Sequence, residues 1–262
     1  MPMSETNPTT LAGTSGFSYP EWRGAFYPSD LAPSAMLEYY ASRLPTVEIN
    51  ATFYRMPKSE VVAAWAVATP ESFRFAIKAS RRITHLAKLR DVSDAVQYLV
   101  RVTAALGARL GAVLFQLPPF LRRDDALLAD FLALLPQGFP AALEVRHRSW
   151  LDDGVYAALR QKNVALVAGD PEDDELETPL IATADFGYLR LRAKSYARPE
   201  IEAWRERIQA QPWRRALVYF KHETLGPEYA LALGGVIPRP GLARARQPPA
   251  AESFARRRRA SH

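Results

Sequence analysis

Charged side chains interrupt several apolar segments of this chain at a two-residue spacing. Glu48 and Asn50 alternate with apolar residues in VEINATFY, and Arg190 and Arg192 do so in YLRLR. Because alternate residues of a β-strand face the same side of its sheet, each pair predicts a polar face on an otherwise buried strand. Carboxylates can act as general bases, and arginines bind anions through charge-assisted hydrogen bonds.

Three further strand-like segments carry the same interruption. Lys78 falls in FRFAIKAS, Gln116 in AVLFQLPP, and Glu144 with Arg146 in ALEVRHRSW. Buried charges need partners, so Glu48 with Lys78, or Glu144 with Arg146, would neutralise each other in a core. One such residue alone favours a structural ion pair. Polar residues at six strand ends favour a functional pocket.

Three histidines also fall at or just after the ends of predicted strands. His85 comes just after the third segment, His147 directly after the fifth, and His222 at the end of the eighth. A histidine titrates near neutral pH, so three at strand ends suggest that at least one transfers a proton. With acidic neighbours they also offer ligands for zinc or manganese, but no H-E-x-x-H or comparable spacing is present. We therefore predict no metal site and no cofactor, with a divalent metal as the alternative.

Eight strand-like segments, most of them separated by helical patterns, must position these side chains. The predicted strands are Leu11–Ser15, Val47–Phe53, Phe73–Ala79, Ala112–Leu117, Ala142–Arg146, Val164–Ala168, Gly187–Arg192 and Ala216–Phe220. This alternation predicts a parallel sheet, and eight strands favour one closed TIM-type (β/α)8 barrel. The turn after the first strand lacks the G-x-G-x-x-G spacing of a doubly wound nucleotide-binding fold. Active sites of the barrel lie at the C-terminal ends of its strands, where the polar residues fall.

Composition restricts the class of protein further. The chain has 262 residues, of which 48% are hydrophobic, and no cysteine, which excludes disulfides and thiolate catalysis. Residues 1–10 show no secretory signal, and no apolar run approaches the roughly 20 residues of a membrane helix. We expect a cytoplasmic protein without a membrane partner, and the oligomeric state stays open.

The excess positive charge lies at the C-terminal end. Residues 236–262 contain seven arginines and one acidic residue, whereas residues 1–235 contain 27 basic and 27 acidic residues. We predict a disordered N-terminus over 1–10, a single barrel domain over 11–235, and a disordered, Pro/Arg-rich tail over 236–262. The tail could bind nucleic acid, although a solvated terminus is the simpler interpretation.

Six longer motifs point to a known family. In chain order they are GTSGFSYPEWRGAFYP, LEYYASRLPTVEINATFYRMP, FRFAIKASRRITH, LGAVLFQLPPFL, LEVRHRSW and YFKHE. Over about residues 11–235 they closely resemble the YecE-like family (domain of unknown function 72). The resemblance implies a TIM barrel and no established reaction. The pocket residues that it carries over are Glu48, Asn50, Tyr54, Lys78, His85, Gln116, Glu144, Arg146, His147 and Trp150.

The chain departs from the family's pattern at two strand ends. After strand seven it has Arg192–Ala193, where many members have a histidine–glycine pair. Strand eight ends in Lys221–His222 rather than in an asparagine-rich sequence. These changes suggest a subgroup with a different ligand.

Three functions follow as alternatives. The first is an enzyme that acts by acid/base and electrostatic catalysis on a small anionic, phosphorylated or sugar-like substrate at the barrel rim, its reaction type (hydrolase, lyase or isomerase) left open. The second is a nucleic-acid-binding or nucleic-acid-processing barrel. It requires a strongly polarised charge distribution, since residues 1–235 are neutral overall. The third is a non-catalytic ligand-binding protein.

The enzyme hypothesis assigns a role to thirteen residues. The predicted catalytic residues are Glu48, Lys78, His85, Glu144 and His147. The predicted substrate-binding residues are Asn50, Tyr54, Gln116, Arg146, Trp150, Arg190, Arg192 and His222.

Overall fold

Eight parallel strands close into a barrel in the computed structural model, which describes residues 7–170 and 176–234. The strands are β1 (Thr9–Ser15), β2 (Thr46–Ile49), β3 (Arg74–Lys78), β4 (Leu110–Gln116), β5 (Ala141–Glu144), β6 (Ala165–Ala168), β7 (Phe186–Leu191) and β8 (Arg215–Phe220). Each strand pairs with the next, and β8 pairs with β1 along six residues. The predicted TIM-type (β/α)8 barrel is confirmed.

Helices of six to twelve residues surround the strands. The helices of the described ranges are α1 (Met36–Ala41), α2 (Ser59–Val67), α3 (Ser93–Thr103), α4 (Asp125–Leu134), α5 (Asp153–Gln161), α6 (Arg198–Gln209) and α7 (Gly226–Gly234). Two of them begin at an aspartate cap: Asp124 accepts the Leu127 N–H at α4, and Asp152 accepts the Gly154 N–H at α5. Between β6 and β7, the described residues 176–185 contain no helix.

The second strand is shorter than predicted. It ends at Ile49, and the chain turns into a 3-10 helix over Ala51–Phe53. The Thr52 hydroxyl donates to the carbonyls of Ile49, at 2.9 Å, and of Lys78, at 2.7 Å, which fixes this turn to the end of β3. Asn50 and Thr52 therefore lie beyond the strand, in a tight turn that breaks its two-residue period.

The ends of the barrel domain also differ from the prediction. β1 begins at Thr9, so residues 9 and 10 belong to the barrel and not to a disordered N-terminus. α7 ends at Gly234, and the predicted tail over 236–262 lies outside the described residues, as do residues 1–6. Within the described ranges no helix has the length and apolar character needed to cross a bilayer. The cytoplasmic location stays a prediction.

The inside of the barrel is filled unevenly. Strands β3 to β6 contribute mainly alanines, whereas β7 and β8 contribute mostly large side chains; these residues are Ala76, Ala112, Leu114, Ala142, Ala165, Val167, Phe186, Tyr188, Leu217 and Tyr219. The large side chains of β7 and β8 therefore fill space that the small ones leave inside the barrel. Tyr219 on β8 reaches past β1, since its hydroxyl lies 2.8 Å from the Thr46 hydroxyl on β2.

Candidate active site at the barrel rim

A buried ion-pair network joins β2, β5 and β7 at the C-terminal end of the barrel. The guanidinium of Arg190 donates from Nη2 to Oε1 of Glu48, at 3.0 Å, and from Nη1 to Oε2 of Glu144, at 2.9 Å. Arg192 lies 3.3 Å from the other oxygen of Glu144. Glu48, Glu144 and Arg190 are all buried. The ion pair between Glu48 and Lys78, raised as a structural alternative to a pocket, does not form among the described residues, and Arg190 of β7 pairs with Glu48 instead.

Glu48 is surrounded by donors. Ser15 donates to its Oε1 at 2.8 Å, Asn50 donates to the same oxygen at 3.0 Å, and the Tyr188 hydroxyl donates to Oε2 at 2.7 Å. Burial raises the pKa of Glu48, but Arg190 and then the Tyr188 hydroxyl outweigh it and lower the pKa to about 2. Glu48 therefore stays ionised at neutral pH and holds Arg190 in place.

Glu144 has a similar environment. Gln116, its neighbour on β4, donates to Oε2 at 2.9 Å, the same oxygen that Arg190 contacts. Burial raises the pKa of Glu144, but Arg190 and Arg192 outweigh it, so the pKa lies below its usual range. Both buried carboxylates thus act here as anchors for guanidinium groups rather than as groups that titrate near neutral pH.

Lys78 stands at the end of β3, close to this network. Its Nζ lies 4.5 Å from the centre of the Phe53 ring, and it makes no ion pair with any residue in the described ranges. Burial, and next the charge of Arg190, lower the pKa of Lys78 to about 8. At neutral pH this amine is therefore mostly protonated and able to lose its proton easily.

His85 contacts the same phenylalanine. Its ring meets Phe53 edge-on with centroids 4.9 Å apart, and its Nδ1 lies 2.8 Å from the Thr84 hydroxyl. Burial, and then the charge of Lys78, lower the pKa of His85. The histidine belongs to a π-helical turn over Arg82–Leu86, a geometry often found at functional sites. Lys78 and His85 thus form a pair of titratable groups around one ring.

A polar cleft opens beside the network between β5, β6 and β7. It is narrow, with about 20 Å³ accessible to water within about 310 Å³ of space that is open to solvent, and its lining includes Glu144, Arg146, Asp170, Arg190 and Arg192. Among these lining residues three guanidiniums face two carboxylates. Asp170 itself accepts the Arg192 N–H at 2.6 Å. The cleft therefore combines fixed arginines with an opening to solvent.

Gly169 lets β6 approach β7 at this cleft. Its φ is +146°, a conformation that is essentially restricted to glycine, and an added Cβ would lie 2.0 Å from the Arg190 carbonyl oxygen. The backbone that carries Arg190 is therefore positioned in part by the absence of a side chain at residue 169.

The sequence profile of one family, described as "Protein of unknown function DUF72", matches residues 11–249. The chain belongs to the DUF72 family. This confirms the resemblance inferred from the motifs, and the match extends beyond residue 235, where we placed the end of the barrel domain.

Curated sequences and solved structures agree with this family. The DUF72 chain is 39% identical over 119 residues to the UPF0759 protein YecE of Escherichia coli K12, which covers 45% of this chain and 44% of YecE. It is 29% identical over 140 residues to the UPF0759 protein YunF of Bacillus subtilis, half of each chain. The matched region thus spans about half the length of these curated relatives.

The crystal structures show the fold over more of the chain. A DUF72 family protein of Thermotoga maritima superposes with a TM-score of 0.74 at 26% identity, over 86% of this chain and 97% of the other. A DUF72 family protein of Enterococcus faecalis gives 0.72 at 21% identity, over 86% and 94%.

Two predicted residues of the DUF72 chain have structural roles after β5. His147 accepts the Ser149 N–H on Nδ1, at 3.1 Å, and so caps the short helix over Arg148–Trp150. Trp150 is fully buried and donates from Nε1 to the Leu121 carbonyl at 2.8 Å. Trp150 does not line the cleft between β5, β6 and β7, and its assignment to substrate binding stays a prediction.

Two more predicted residues lie apart from the network. His222 accepts the Leu225 N–H on Nδ1, at 3.0 Å, and its Nε2 lies 3.2 Å from the Lys194 carbonyl, so both ring nitrogens are engaged with backbone. Tyr54 is 72% exposed and borders a different groove. Neither residue contacts the carboxylates of the network.

Two donors to Glu48 were not among the predicted residues. Ser15 pairs with Glu48 in the register of β1 and β2, and Tyr188 lies two residues before Arg190 on β7. The two-residue spacing pointed to Tyr188, whereas Ser15 gave no such signal because serine is common in turns. In residues 7–170 and 176–234, no three histidine or acidic side chains group closely enough to hold a metal ion.

Proposed function

We propose that this DUF72 protein is an enzyme that binds a small anionic, phosphorylated or sugar-like substrate at the barrel rim. The observation that carries this proposal is the Lys78–Phe53–His85 cluster, which holds two titratable groups beside an arginine-lined cleft. Groups with pKa values near the working pH are the most effective acid/base catalysts. The pKa of Lys78, lowered to about 8, meets this condition, whereas the pKa of Glu48, about 2, does not.

In this proposal the cleft binds the substrate and the Lys78–Phe53–His85 cluster transfers protons. Arg146 and Arg192 bind the anionic group of the substrate in the cleft, through charge-assisted hydrogen bonds. Protonated Lys78 donates a proton or stabilises developing negative charge, and neutral His85 accepts a proton at Nε2. Glu48 and Glu144 hold the guanidinium of Arg190 at a fixed position, so that this charge need not reorganise during the reaction.

Two buried polar atoms of the network support a ligand here. The Oδ1 atom of Asn50 and the Nε atom of Arg190 are buried and have no hydrogen-bond partner among the residues that the structure describes. Buried polar groups without a partner are rare, and a bound water or ligand commonly explains them. A hydroxyl group of a substrate could donate to Asn50, which would satisfy this acceptor.

Calorimetric titration tests the binding step. We expect the full chain to bind ribose 5-phosphate more tightly than ribose, with inorganic phosphate competing. Arg192→Gln should weaken ribose 5-phosphate binding at least about tenfold, since a charge-assisted hydrogen bond contributes roughly 1.5–3 kcal/mol. Lys162→Gln, an exposed change at the opposite end of the barrel, is the matched control and should leave binding unchanged.

Turnover is a separate test. Phosphorylated sugars incubated with the protein and followed by phosphorus and proton NMR should give a product whose formation needs Lys78 and His85. Binding without turnover across such a panel would support a non-catalytic ligand-binding protein. Equal affinity for ribose and ribose 5-phosphate would overturn the anion site itself.

A further inference from the structure

The loops that follow β2 and β3 carry an excess of positive charge. Residues 50–58 and 79–91 contain six basic side chains and one acidic one, Asp91. Because residues 1–235 are neutral overall, the rest of that part of the chain carries the balancing negative charge. The barrel therefore has the polarised charge distribution that binding to an anionic polymer requires.

Most of these cations are available on the surface. Arg90 pairs with Asp124 at 3.1 Å. The other five are exposed and form no ion pair within the described part of the chain; they are Arg55, Lys58, Arg81, Arg82 and Lys88. Exposed cations that are grouped without acidic partners are typical of surfaces that bind phosphate groups.

Exposed apolar side chains lie among these cations. Tyr54 is 72% exposed, Leu86 66%, Phe120 64% and Tyr98 42%, and these are four of the few large hydrophobic residues exposed in the described ranges. Lys88 lies over the Phe120 ring, with Nζ 5.3 Å from its centre. The exposure of apolar side chains to water is unfavourable, so several of them grouped at one place indicate a binding surface.

A groove runs between two of these rings. It has a volume of about 1070 Å³, and Tyr54 and Tyr98 line it together with Arg55, Arg82 and Asp94. The groove shares no lining residue with the cleft beside Arg190 and Arg192. It is thus a second site, with aromatic faces and guanidinium groups arranged together.

The backbone of the β3 loop is held in an unusual shape. After the π-helical turn, Lys88 has a φ of +52° and Leu89 of +68°, and such conformations cost non-glycine residues roughly 1–2 kcal/mol each. Leu89 is buried and anchors this segment. The loop therefore presents its cations in a defined arrangement, which reduces the ordering cost of binding.

We propose that this groove binds single-stranded nucleic acid, with bases stacked on Tyr54 and Tyr98 and phosphates bound by Arg55 and Arg82. Unpaired bases offer faces to aromatic rings, whereas a duplex keeps its bases stacked on one another. The nucleic acid thus meets the barrel itself, and the C-terminal tail is not required. The proposal uses residues other than those assigned to the small-substrate enzyme, although the Tyr54 ring meets Phe53 of the Lys78–Phe53–His85 cluster edge-on, with centroids 5.1 Å apart.

Fluorescence anisotropy with a labelled twelve-nucleotide oligothymidylate tests this groove. The full chain carrying R256Q, R257Q, R258Q and R259Q removes the arginine run of the tail and serves as the parent. We expect it to bind, and Tyr54→Ala or Tyr98→Ala should each weaken binding roughly 5- to 100-fold. Arg82→Gln should reduce the slope of log affinity against log salt by about 0.7, the value for one phosphate contact on a single strand.

Two exposed residues at the other end of the barrel supply matched controls. Val67→Ala removes an exposed apolar group and Lys162→Gln an exposed cation, and neither should change affinity. No binding by the parent would overturn the proposal, and any binding by the unsubstituted chain would then be due to the arginines of the tail. Binding that ignores both tyrosines, or that is equal for a duplex of the same length, would overturn it as well, since a simple anionic polymer would then suffice. Unchanged urea midpoints establish that the variants are folded.

Discussion

The Nη2 atom of Arg190 lies 3.0 Å from Oε1 of Glu48, although 142 positions separate the two residues in the chain. The guanidinium reaches Glu144 with its other terminal nitrogen, at 2.9 Å. One cation thus joins two buried anions on opposite parts of the barrel wall. Arg190 and Glu144 each make two of the ion pairs of the rim, and Arg190 is the residue that links the two carboxylates.

Replacement of Arg190 by methionine should destabilise the protein strongly. The change leaves Glu48 and Glu144 buried without their shared cation, and breaking a buried pair in this way costs about 3–5 kcal/mol. Urea unfolding followed by circular dichroism measures the loss. Arg148→Met, an exposed arginine near the same rim, should cost less than about 0.5 kcal/mol. A loss below about 1 kcal/mol for Arg190→Met would show that the network adds little to stability.

Stability should also depend on the ionisation of Glu48 at acid pH. The pKa of Glu48 falls from 4.5 to about 2 on folding, through Arg190 and the Tyr188 hydroxyl against the effect of burial. Its ionised form therefore stabilises the fold above about pH 4.5, and this contribution is lost as the pH falls toward 2. This contribution to the free energy of unfolding is on the order of 3 kcal/mol.

Comparison with Glu48→Gln isolates this effect from other acidic groups. The free energy of unfolding of the variant should be lower than that of the wild type at pH 7, and the gap should close between pH 4.5 and pH 2. A gap that stays constant over this range would contradict the low pKa of Glu48.

The rim could be predicted from the sequence because parallel strands buried on both faces have few reasons to carry charges. Glu48, Lys78, Glu144 and Arg190 were all found by that pattern. Their pairing could not be predicted, since it depends on barrel closure and on strand register. Ser15 illustrates the point: it contacts Glu48 only because β1 and β2 pair at these residues.

Motif matches were less reliable for single residues than for the fold. Trp150 and His147 belong to LEVRHRSW, yet one donates to the Leu121 carbonyl and the other caps a short helix. Their side chains meet structural needs of this loop. The motif therefore placed the end of β5 at Arg146, two residues beyond its end at Glu144, and did not distinguish a ligand contact from a cap.

Lys78 should reduce stability while supporting activity. Burial, and then Arg190, lower its pKa from 10.5 to about 8, so a charged Lys78 destabilises the folded state below pH 8. As the pH rises from 8 to 10.5 the unfolded chain keeps the proton that the folded chain has lost, and stability increases. Lys78→Met should therefore be more stable than the wild type at pH 7, by about 1–3 kcal/mol.

The pH dependence of that gain separates a titrating lysine from a packing effect. The difference in unfolding free energy between Lys78→Met and the wild type should disappear by about pH 10.5, and turnover of any substrate found by NMR should be lost in the variant. A gain that is independent of pH would indicate improved apolar packing against Phe53 instead.

Gly169→Ala should damage both the fold and the cleft. The new Cβ would lie 2.0 Å from the Arg190 carbonyl oxygen, and φ at this position is +146°. Such a backbone costs about 1–3 kcal/mol of strain, and the displacement of β7 adds a further cost, so the free energy of unfolding should fall by at least about 2 kcal/mol relative to the wild type.

Gly107→Ala is the matched control, because its φ is +54° and an added Cβ would have nothing within 4 Å. It should cost about 1 kcal/mol and leave ribose 5-phosphate binding unchanged, whereas Gly169→Ala should weaken that binding by moving Arg190 and Arg192. Equal effects of the two variants on stability and on affinity would show that the close approach of β6 to β7 does not position the arginines.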